Sequence, residues 1–275
     1  IVDVAISDDH SLALNSRGEV YAWGSNNFNQ LGFATEKVKG KPDSYSKEPK
    51  RVLNTLKKYR IQGISCSRTH SAAFSDKTLV LWGLNVGQMS FVSAGEQLKS
   101  GKFKGIPQVP RDIEFQCNIR QVIATDYATI VLLENSECHV LTNGGRLKYQ
   151  LPLFKALNDD FEHFQPSIFS KKKRIIKLVS KDKSNIGVLY NDGSVVNFAA
   201  DPSVRGASTK FTPVWVPRNS HLKCIDVDIG QEGSIIICAK SGCVFRRGSN
   251  NSNNNRQFKF SKLEKLSNIV KVTCD

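Results

Sequence analysis

A segment of about fifteen residues recurs along most of this 275-residue chain, and no other feature constrains its fold as strongly. The segment reads HSLALNSRGEVYAWG from His10 and HSAAFSDKTLVLWG from His70, and weaker copies begin at Ala128, Asn185 and Ser234. Successive copies start 60, 58, 57 and 49 residues apart. This spacing indicates an array of one repeated supersecondary unit, because each unit buries its apolar face only against a neighbour.

Each copy predicts the same run of short strands. An apolar strand such as IVDVAI comes first, a second such as SLAL follows, and a turn such as NSRG leads into a third such as EVYAWG. The turns place Gly18, Gly193 and Gly242 where a tight hairpin needs a positive φ. With a fourth strand expected in the variable segment after each copy, the units are four-stranded antiparallel sheets. Sheets repeated in this way form a β-propeller.

The first two copies share a signature that lies outside the strand pattern itself. Its residues are His10, Gly18, Trp23, Gly24, Gln30, Leu31, Gly32, His70, Trp82, Gly83 and Gln88. The signature resembles the repeat of the regulator of chromosome condensation family, whose fold is a seven-bladed propeller. We expect these residues to build the joints between blades, where Trp23 supplies bulk, the glycines permit close backbone approach and Gln30 satisfies backbone groups.

We therefore predict an all-β fold, a regulator-of-chromosome-condensation-type β-propeller with about five of its seven blades in this sequence. The blades are expected to begin near residues 1, 60, 118, 174 and 222, with a further one beginning near 268, in a single domain over residues 1–275. The chain starts without Met and ends in NIVKVTCD, which reads as the opening of another strand. We expect it to be a fragment of a longer protein.

Several longer phrases carry a second resemblance. GLNVGQM, VPRDIE, QVIATDYATIVLLENSECHVL and GCVFRR occur in this order and resemble the propeller of inhibitor of Bruton's tyrosine kinase-like proteins, in which ankyrin repeats precede the propeller and BTB domains follow it. This implies a protein-binding propeller in a larger adaptor that recognises substrates for a cullin-3 ubiquitin ligase, with the cullin contacted through domains outside this sequence. The founding member of the repeat family instead implies a guanine-nucleotide exchange factor for a small Ran-like GTPase.

The sequence predicts no enzyme and no cofactor. It contains no phosphate-binding GxxxxGK[ST] loop, no HExxH, no GxSxG and no GxGxxG. His10 and His70 recur as parts of the repeat, which favours a structural role over a catalytic or metal-binding one. The sequence contains no run of eighteen apolar residues, so we expect no membrane partner. The seven cysteines are odd in number and lack a CxxC pair, so free thiols in a reducing compartment and a cytoplasmic location are expected.

The formal net charge of +14 favours an acidic partner. Two basic clusters are predicted to lie in loops between blades, and their residues are Lys50, Arg51, Lys57, Lys58, Lys171, Lys172, Lys173 and Arg174. An acidic protein surface, chromatin or nucleic acid would suit such charge, and a solvated basic rim without a partner is the alternative. Nucleic acid is the least favoured ligand because aromatic residues do not alternate with the cations. The KKKR motif could also serve as a nuclear import signal.

Overall fold

The computed structural model describes residues 1–35, 44–89, 106–142, 145–150, 174–180, 185–199, 211–230, 234–248 and 260–274. The chain divides into two compact units, residues 1–149 (unit 1) and residues 150–275 (unit 2). Five four-stranded sheets account for the described strands, and within each sheet every strand pairs antiparallel with its neighbours in the chain. The predicted all-β fold and its five repeated sheets are confirmed, and the assignment of the whole chain to one domain stays a prediction.

Unit 1 contains three of the sheets. The first comprises β1 (Asp3–Ile6), β2 (His10–Leu14), β3 (Val20–Ser25) and β4 (Tyr45–Arg51); the second comprises β5 (Gly63–Cys66), β6 (His70–Ser75), β7 (Thr78–Asn85) and β8 (Ile106–Glu114); the third comprises β9 (Ile119–Ala124), β10 (Thr129–Leu133), β11 (Glu137–Thr142) and β12 (Gly145–Gln150), whose last residue belongs to unit 2. A 3₁₀ helix, η1 (Thr55–Lys58), connects the first sheet to the second.

Unit 2 contains the other two sheets. The fourth comprises β13 (Ile175–Val179), β14 (Asn185–Tyr190), β15 (Val195–Ala199) and β16 (Thr212–Trp215); the fifth comprises β17 (Cys224–Ile229), β18 (Ile235–Ala239), β19 (Val244–Arg247) and β20 (Ser261–Lys262). A second 3₁₀ helix, η2 (Ser220–Leu222), lies between the two sheets in the chain. In both units, apolar side chains from the middle strands fill the space between successive sheets.

The turn between the second and third strands has the same backbone conformation in every sheet. Gly18, Gly193 and Gly242 have φ values of 80°, 83° and 77°, as the sequence predicted. Asp76 and Ser136 take the equivalent place in the second and third sheets, with φ values of 44° and 68°. The turn therefore requires a left-handed backbone conformation at this position. Glycine adopts that conformation without steric cost, but other residues also adopt it here.

This turn also joins one sheet to the next. Its carbonyl accepts a hydrogen bond from the first residue of the following repeat, over 3.1 Å from Ile61 to Gly18, 3.2 Å from Cys224 to Gly193 and 3.4 Å from Ile269 to Gly242. The N–H of Ile119 donates to the Asp76 carbonyl in the same way, over 2.6 Å. Because the contact uses backbone atoms, it persists where the signature side chains change. In the described residues no helix is long and apolar enough to cross a membrane.

Candidate functional site

The signature histidine of the first sheet lies in a buried joint with the second sheet. The Nε2 atom of His10 is 2.6 Å from the hydroxyl of Ser71, which itself donates a hydrogen bond to the Gln30 carbonyl over 2.8 Å. The indole N–H of Trp82 donates to that same carbonyl, also over 2.8 Å. Because the Ser71 proton goes to Gln30, His10 must carry its own proton on Nε2.

The second sheet repeats part of this joint. His70 Nε2 lies 3.0 Å from the Thr129 hydroxyl in the third sheet, and its Nδ1 lies 2.8 Å from the Ser67 hydroxyl. Burial lowers the pKa of His10 to about 4 and, together with the nearby His10, lowers the pKa of His70 to about 3. Both imidazoles are neutral at physiological pH and enclosed by protein, an arrangement that supports a structural role.

Gln30 contributes to the joint differently from what the sequence led us to expect. Its carbonyl makes the contact with the second sheet, whereas its side-chain oxygen accepts the Phe28 N–H within its own loop over 2.8 Å. Gln88 repeats the local bond, because its side-chain oxygen accepts the Val86 N–H over 2.6 Å. The other signature residues also lie within or beside the first two sheets: Leu31 and Trp82 are buried, Trp23 is half-buried, and Gly24, Gly32 and Gly83 have positive φ.

Three of the four predicted basic residues of unit 1, Arg51, Lys57 and Lys58, line a groove of about 300 Å³ between the turn of the first sheet and η1. Five cations and one carboxylate line it, namely Arg17, Arg51, Lys57, Lys58, Arg60 and Glu19. We call this the basic groove. Its floor includes the apolar residues Val20, Val52 and Leu56, which are buried in the core between the first and second sheets.

Contacts from both neighbouring sheets hold η1 in place beside the groove. The hydroxyl of Thr55 donates to the Pro110 carbonyl in β8 over 2.9 Å, and the hydroxyl of Tyr59 donates to the Asp112 carboxylate over 2.7 Å. The side-chain amide of Asn54 donates to the Gly32 carbonyl over 2.7 Å, which ties η1 to a signature residue of the first sheet. Lys57 and Lys58 are therefore presented by a fixed backbone.

Only part of the positive charge in the groove is neutralised. Arg51 forms a 2.8 Å ion pair with Glu19, whose pKa is lowered by a hydrogen bond from Asn15 and further by the charge of Arg51. The other four cations form no ion pair among the residues that the structure describes. A surface with this excess of positive charge attracts acidic ligands, and it does so most strongly at low salt.

A second groove of about 420 Å³ adjoins the first, because Lys57 and Lys58 line both. Its walls also contain Val109, a largely exposed apolar side chain, and Pro110. Cations beside exposed apolar surface suit a protein segment that carries both acidic and apolar residues. Tyr59 is the one aromatic residue among those lining the two grooves, and its hydroxyl is already bonded. The lining therefore offers little surface for stacked bases.

The structure places the predicted basic residues in several settings. Lys50 and Arg51 lie in β4, and Lys57 and Lys58 lie in η1, although loops were expected for all four. Lys50 does not line the groove, since successive side chains of a strand point to opposite faces. Arg174 is exposed just before β13 in unit 2, and Lys171, Lys172 and Lys173 lie outside the described residues.

Arg17 and Arg60 complete the basic groove. Arg60 ends the first basic cluster of the sequence but was not chosen as a candidate residue, and Arg17 belongs to neither cluster. Arg17 belongs to the turn that precedes β3, and Arg60 precedes Ile61, the residue bonded to that turn. The repeat pattern contains the signal that would have found them, because in four of the five repeats the turn is bonded to the start of the next repeat. Thus the groove gathers residues from two repeats that are more than forty positions apart in the sequence.

The cysteines and acidic residues suggest no further chemistry. All seven cysteines are free thiols, and burial raises the pKa of Cys66, Cys138 and Cys224 to about 12, which leaves them protonated and unreactive. Within the described residues, no group of three or more His, Cys, Asp or Glu side chains is placed to hold a metal ion.

Comparison with known families assigns the N-terminal part of the chain. A family model of the regulator of chromosome condensation (RCC1) repeat matches residues 17–74, and a second model of the same repeat matches residues 1–30. The structure of human WBSCR16 shows a similar fold, with a TM-score of 0.61 and 16% identity over 89% of this chain and 61% of that one. The predicted RCC1-type propeller class is thus confirmed.

The chain is also similar to parts of three large proteins. It is 24% identical to BTB/POZ domain-containing protein 1 of Schizosaccharomyces pombe over 99% of the chain and 21% of that protein. It is 29% identical to inhibitor of Bruton tyrosine kinase of Xenopus laevis over 50% of the chain, and 35% identical to the human probable E3 ubiquitin-protein ligase HERC6 over 39%, in each case covering 10% of the relative. The resemblance to inhibitor of Bruton tyrosine kinase predicted from the sequence is confirmed, and the chain spans about a fifth or less of these relatives.

Proposed function

We propose that this chain is a protein-binding module that uses the basic groove to recognise acidic segments of its partners. The observation that carries the proposal is the convergence of four unpaired cations from two RCC1 repeats on one groove with an adjoining apolar wall. The signature residues are used inside the joints, whereas the groove cations contribute little to packing. Recognition can therefore vary at the groove without loss of the fold.

We further propose that the recognised proteins are substrates of a ubiquitin ligase, and that the chain acts as the substrate-binding part of a larger adaptor. Relatives named for a BTB/POZ domain and for E3 ubiquitin-protein ligase activity support this role. A cullin-3 complex formed through other domains would supply the ligase activity. The chain itself is expected to bind without catalysis and without a cofactor, in the cytoplasm, where its seven free thiols would remain reduced.

The test is affinity purification of the protein from its native cells under proteasome inhibition, followed by mass spectrometry. Three forms are compared: the unaltered protein, the groove variant K57E/K58E and the control variant K262E/K265E. The two variants lose the same amount of charge, and the control lysines are exposed in unit 2, away from the groove lining. We expect clients with acidic segments to fall at least tenfold with K57E/K58E only, while a cullin is recovered with all three forms.

Other outcomes would overturn the proposal. Recovery of a small GTPase, bound most tightly after nucleotide is stripped, would make nucleotide exchange the function. Clients that disappear after nuclease treatment would indicate contact through nucleic acid. Identical clients with all three forms would remove the basic groove from recognition, and clients without any cullin would retain the binding module but reject the ligase role.

A further inference from the structure

The first strand of each sheet in unit 2 contains a bulge that exposes an apolar side chain. The pairing of β13 with β14 skips Ile176, and the pairing of β17 with β18 skips Ile225. These side chains are 47% and 41% exposed, although the residue before each of them is buried. The bulge orients the two side chains towards solvent at a defined position of the repeat.

Val270 occupies the same position in the segment that follows the fifth sheet. The N–H of Ile269 donates to the Gly242 carbonyl, just as the N–H of Cys224 donates to the Gly193 carbonyl, so Val270 corresponds to Ile225. We call Ile176, Ile225 and Val270 the apolar row.

A network around Asp226 connects the chain segments that contain the three positions of the row. The Asp226 carboxylate accepts a 2.8 Å hydrogen bond from the ammonium group of Lys177 and a 2.9 Å bond from the N–H of Val272. Lys177 directly follows Ile176, and Asp226 directly follows Ile225. Three successive repeats thus meet at this carboxylate, and each row position lies one or two residues from a group of the network.

Exposed cations flank the apolar row, and they are Arg174, Lys223, Lys240 and Lys271. None of them forms an ion pair among the described residues of unit 2. The nearby carboxylates already have donors: Asp226 has Lys177 and Val272, and Asp228 accepts from the Thr273 hydroxyl and the Cys274 N–H. The surface therefore combines apolar side chains with uncompensated positive charge.

The apolar character of the row is not required by the repeat. The equivalent residue is Gln62 in the second sheet and Arg120 in the third, and both are exposed. The repeat therefore folds with a polar residue at this position, and an exposed Ile or Val there adds nothing to the packing of its own sheet. Exposed apolar side chains that lie together usually mark an interaction surface.

We propose that the apolar row binds an extended segment of a partner protein in which acidic residues alternate with bulky apolar ones. In an extended segment successive side chains point in opposite directions, so apolar residues can contact the row while acidic residues reach the flanking cations. The complementary charge favours a protein segment of this kind over a neutral one. The row and the basic groove share no residue, so this proposal and the proposed function can fail separately.

A membrane surface with anionic lipids is the competing ligand for basic and apolar side chains. Surfaces that insert into membranes present Trp, Phe or Leu from an amphipathic helix, whereas the row consists of short β-branched side chains on strands. We therefore expect protein binding and treat membrane binding as an outcome of the test.

The experiment measures the binding of two fluorescent eight-residue peptides to the full chain by anisotropy, one alternating Glu and Ile and the other alternating Glu and Ser. We expect the Glu–Ile peptide to bind about tenfold more tightly, because burial of two or three apolar side chains contributes at least the free energy of one decade in Kd. The variant I176A/I225A should lose that preference. R120A changes the same repeat position in unit 1 and should retain it.

Three results would overturn the proposal. Equal affinity for the two peptides would show that charge alone acts, and retention of the preference in I176A/I225A would place binding elsewhere. Stronger binding to phosphatidylserine vesicles than to the Glu–Ile peptide, lost in the same variant, would assign the row to membranes. Unchanged circular dichroism of each variant shows that the sheets remain folded.

Discussion

At the residue scale, Gly18 has two roles in one turn, and we expect its substitution to be costly. Its φ is 80°, and a Cβ atom would lie 2.8 Å from the backbone nitrogen of Ile61. We predict that G18A lowers the free energy of unfolding by about 1–3 kcal/mol, measured by urea denaturation. G145A is the matched control, because its nearest contact would be 3.7 Å away, and it should change stability by less than about 0.5 kcal/mol. Equal losses would contradict the role of the turn.

The buried histidines predict a loss of stability in mild acid. His10 has a pKa of about 4 in the folded protein against 6.5 when exposed, so the unfolded chain binds more protons between those values. Stability is therefore full above pH 6.5 and falls as the pH decreases towards 4. Titration of His10 should lower the free energy of unfolding by about 2 kcal/mol between pH 7 and pH 5.

Urea denaturation at several pH values tests this linkage. H10Q removes the titrating group while its side-chain amide can still donate towards Ser71. The variant should show a correspondingly weaker pH dependence than the unaltered protein, whatever its stability at pH 7. Parallel pH curves for the two proteins would show that folding does not lower the pKa of His10.

Residue-level chemistry also explains what the sequence could reveal about the turns. Gly18, Gly193 and Gly242 were predictable because glycine is the usual residue for a positive φ in a hairpin. Asp76 and Ser136 adopt the same conformation without that signal. There the tertiary contact with the next repeat selects the conformation, and local propensity does not reveal it.

At the element scale, Asp226 links two sheets and the segment after them. Removing its carboxylate leaves the Lys177 ammonium, which is one-third exposed, and the Val272 N–H without this acceptor. We predict that D226A lowers the free energy of unfolding by about 2–3 kcal/mol in urea denaturation, after allowance for solvent around Lys177.

A double-mutant cycle separates the ion pair from the other contacts of Asp226. The variant D226A/K177M should be more stable than the sum of the single effects implies, because no ammonium group is then left without its counter-ion. Additive losses would mean that Lys177 and Asp226 do not interact in solution. K177M alone should be destabilising, because it leaves the largely buried carboxylate without its ion-pair partner.

The strands themselves were predictable to different degrees. The first three strands of each sheet alternate apolar and polar residues or form apolar runs. The same pattern recurs in all five repeats, which strengthens the prediction of each strand. The fourth strands are less regular: β4 reads YSKEPKR and β8 reads IPQVPRDIE, both polar and with proline. Only an outer strand with one neighbour tolerates this composition, so the third strand beside it determines the pairing. The position of η1 likewise depends on its contacts with neighbouring sheets, so neither η1 nor the groove beside it was predicted from the sequence.

At the scale of the whole molecule, packing and recognition use different parts of the repeat. The joints use backbone carbonyls in four of the five repeats, and buried histidines with hydroxyl partners in the first two. The candidate binding surfaces use positions that the joints leave exposed, in the basic groove of unit 1 and the apolar row of unit 2. This division explains why the repeat pattern predicted the fold well and the site only in part.

The net charge of +14 raises the question whether acidic ligands respond to the whole molecule or to the basic groove alone. We predict a local effect. For a peptide of eight glutamates, raising the salt concentration from 50 to 300 mM should weaken binding about tenfold, because the screening length falls below the spacing of exposed charges. K57E/K58E should bind weakly at both concentrations and depend little on salt.

K262E/K265E has the same net charge as K57E/K58E, so isothermal titration of both variants separates the two explanations. Equal losses in both variants would mean that the overall field, and not the groove, attracts the peptide.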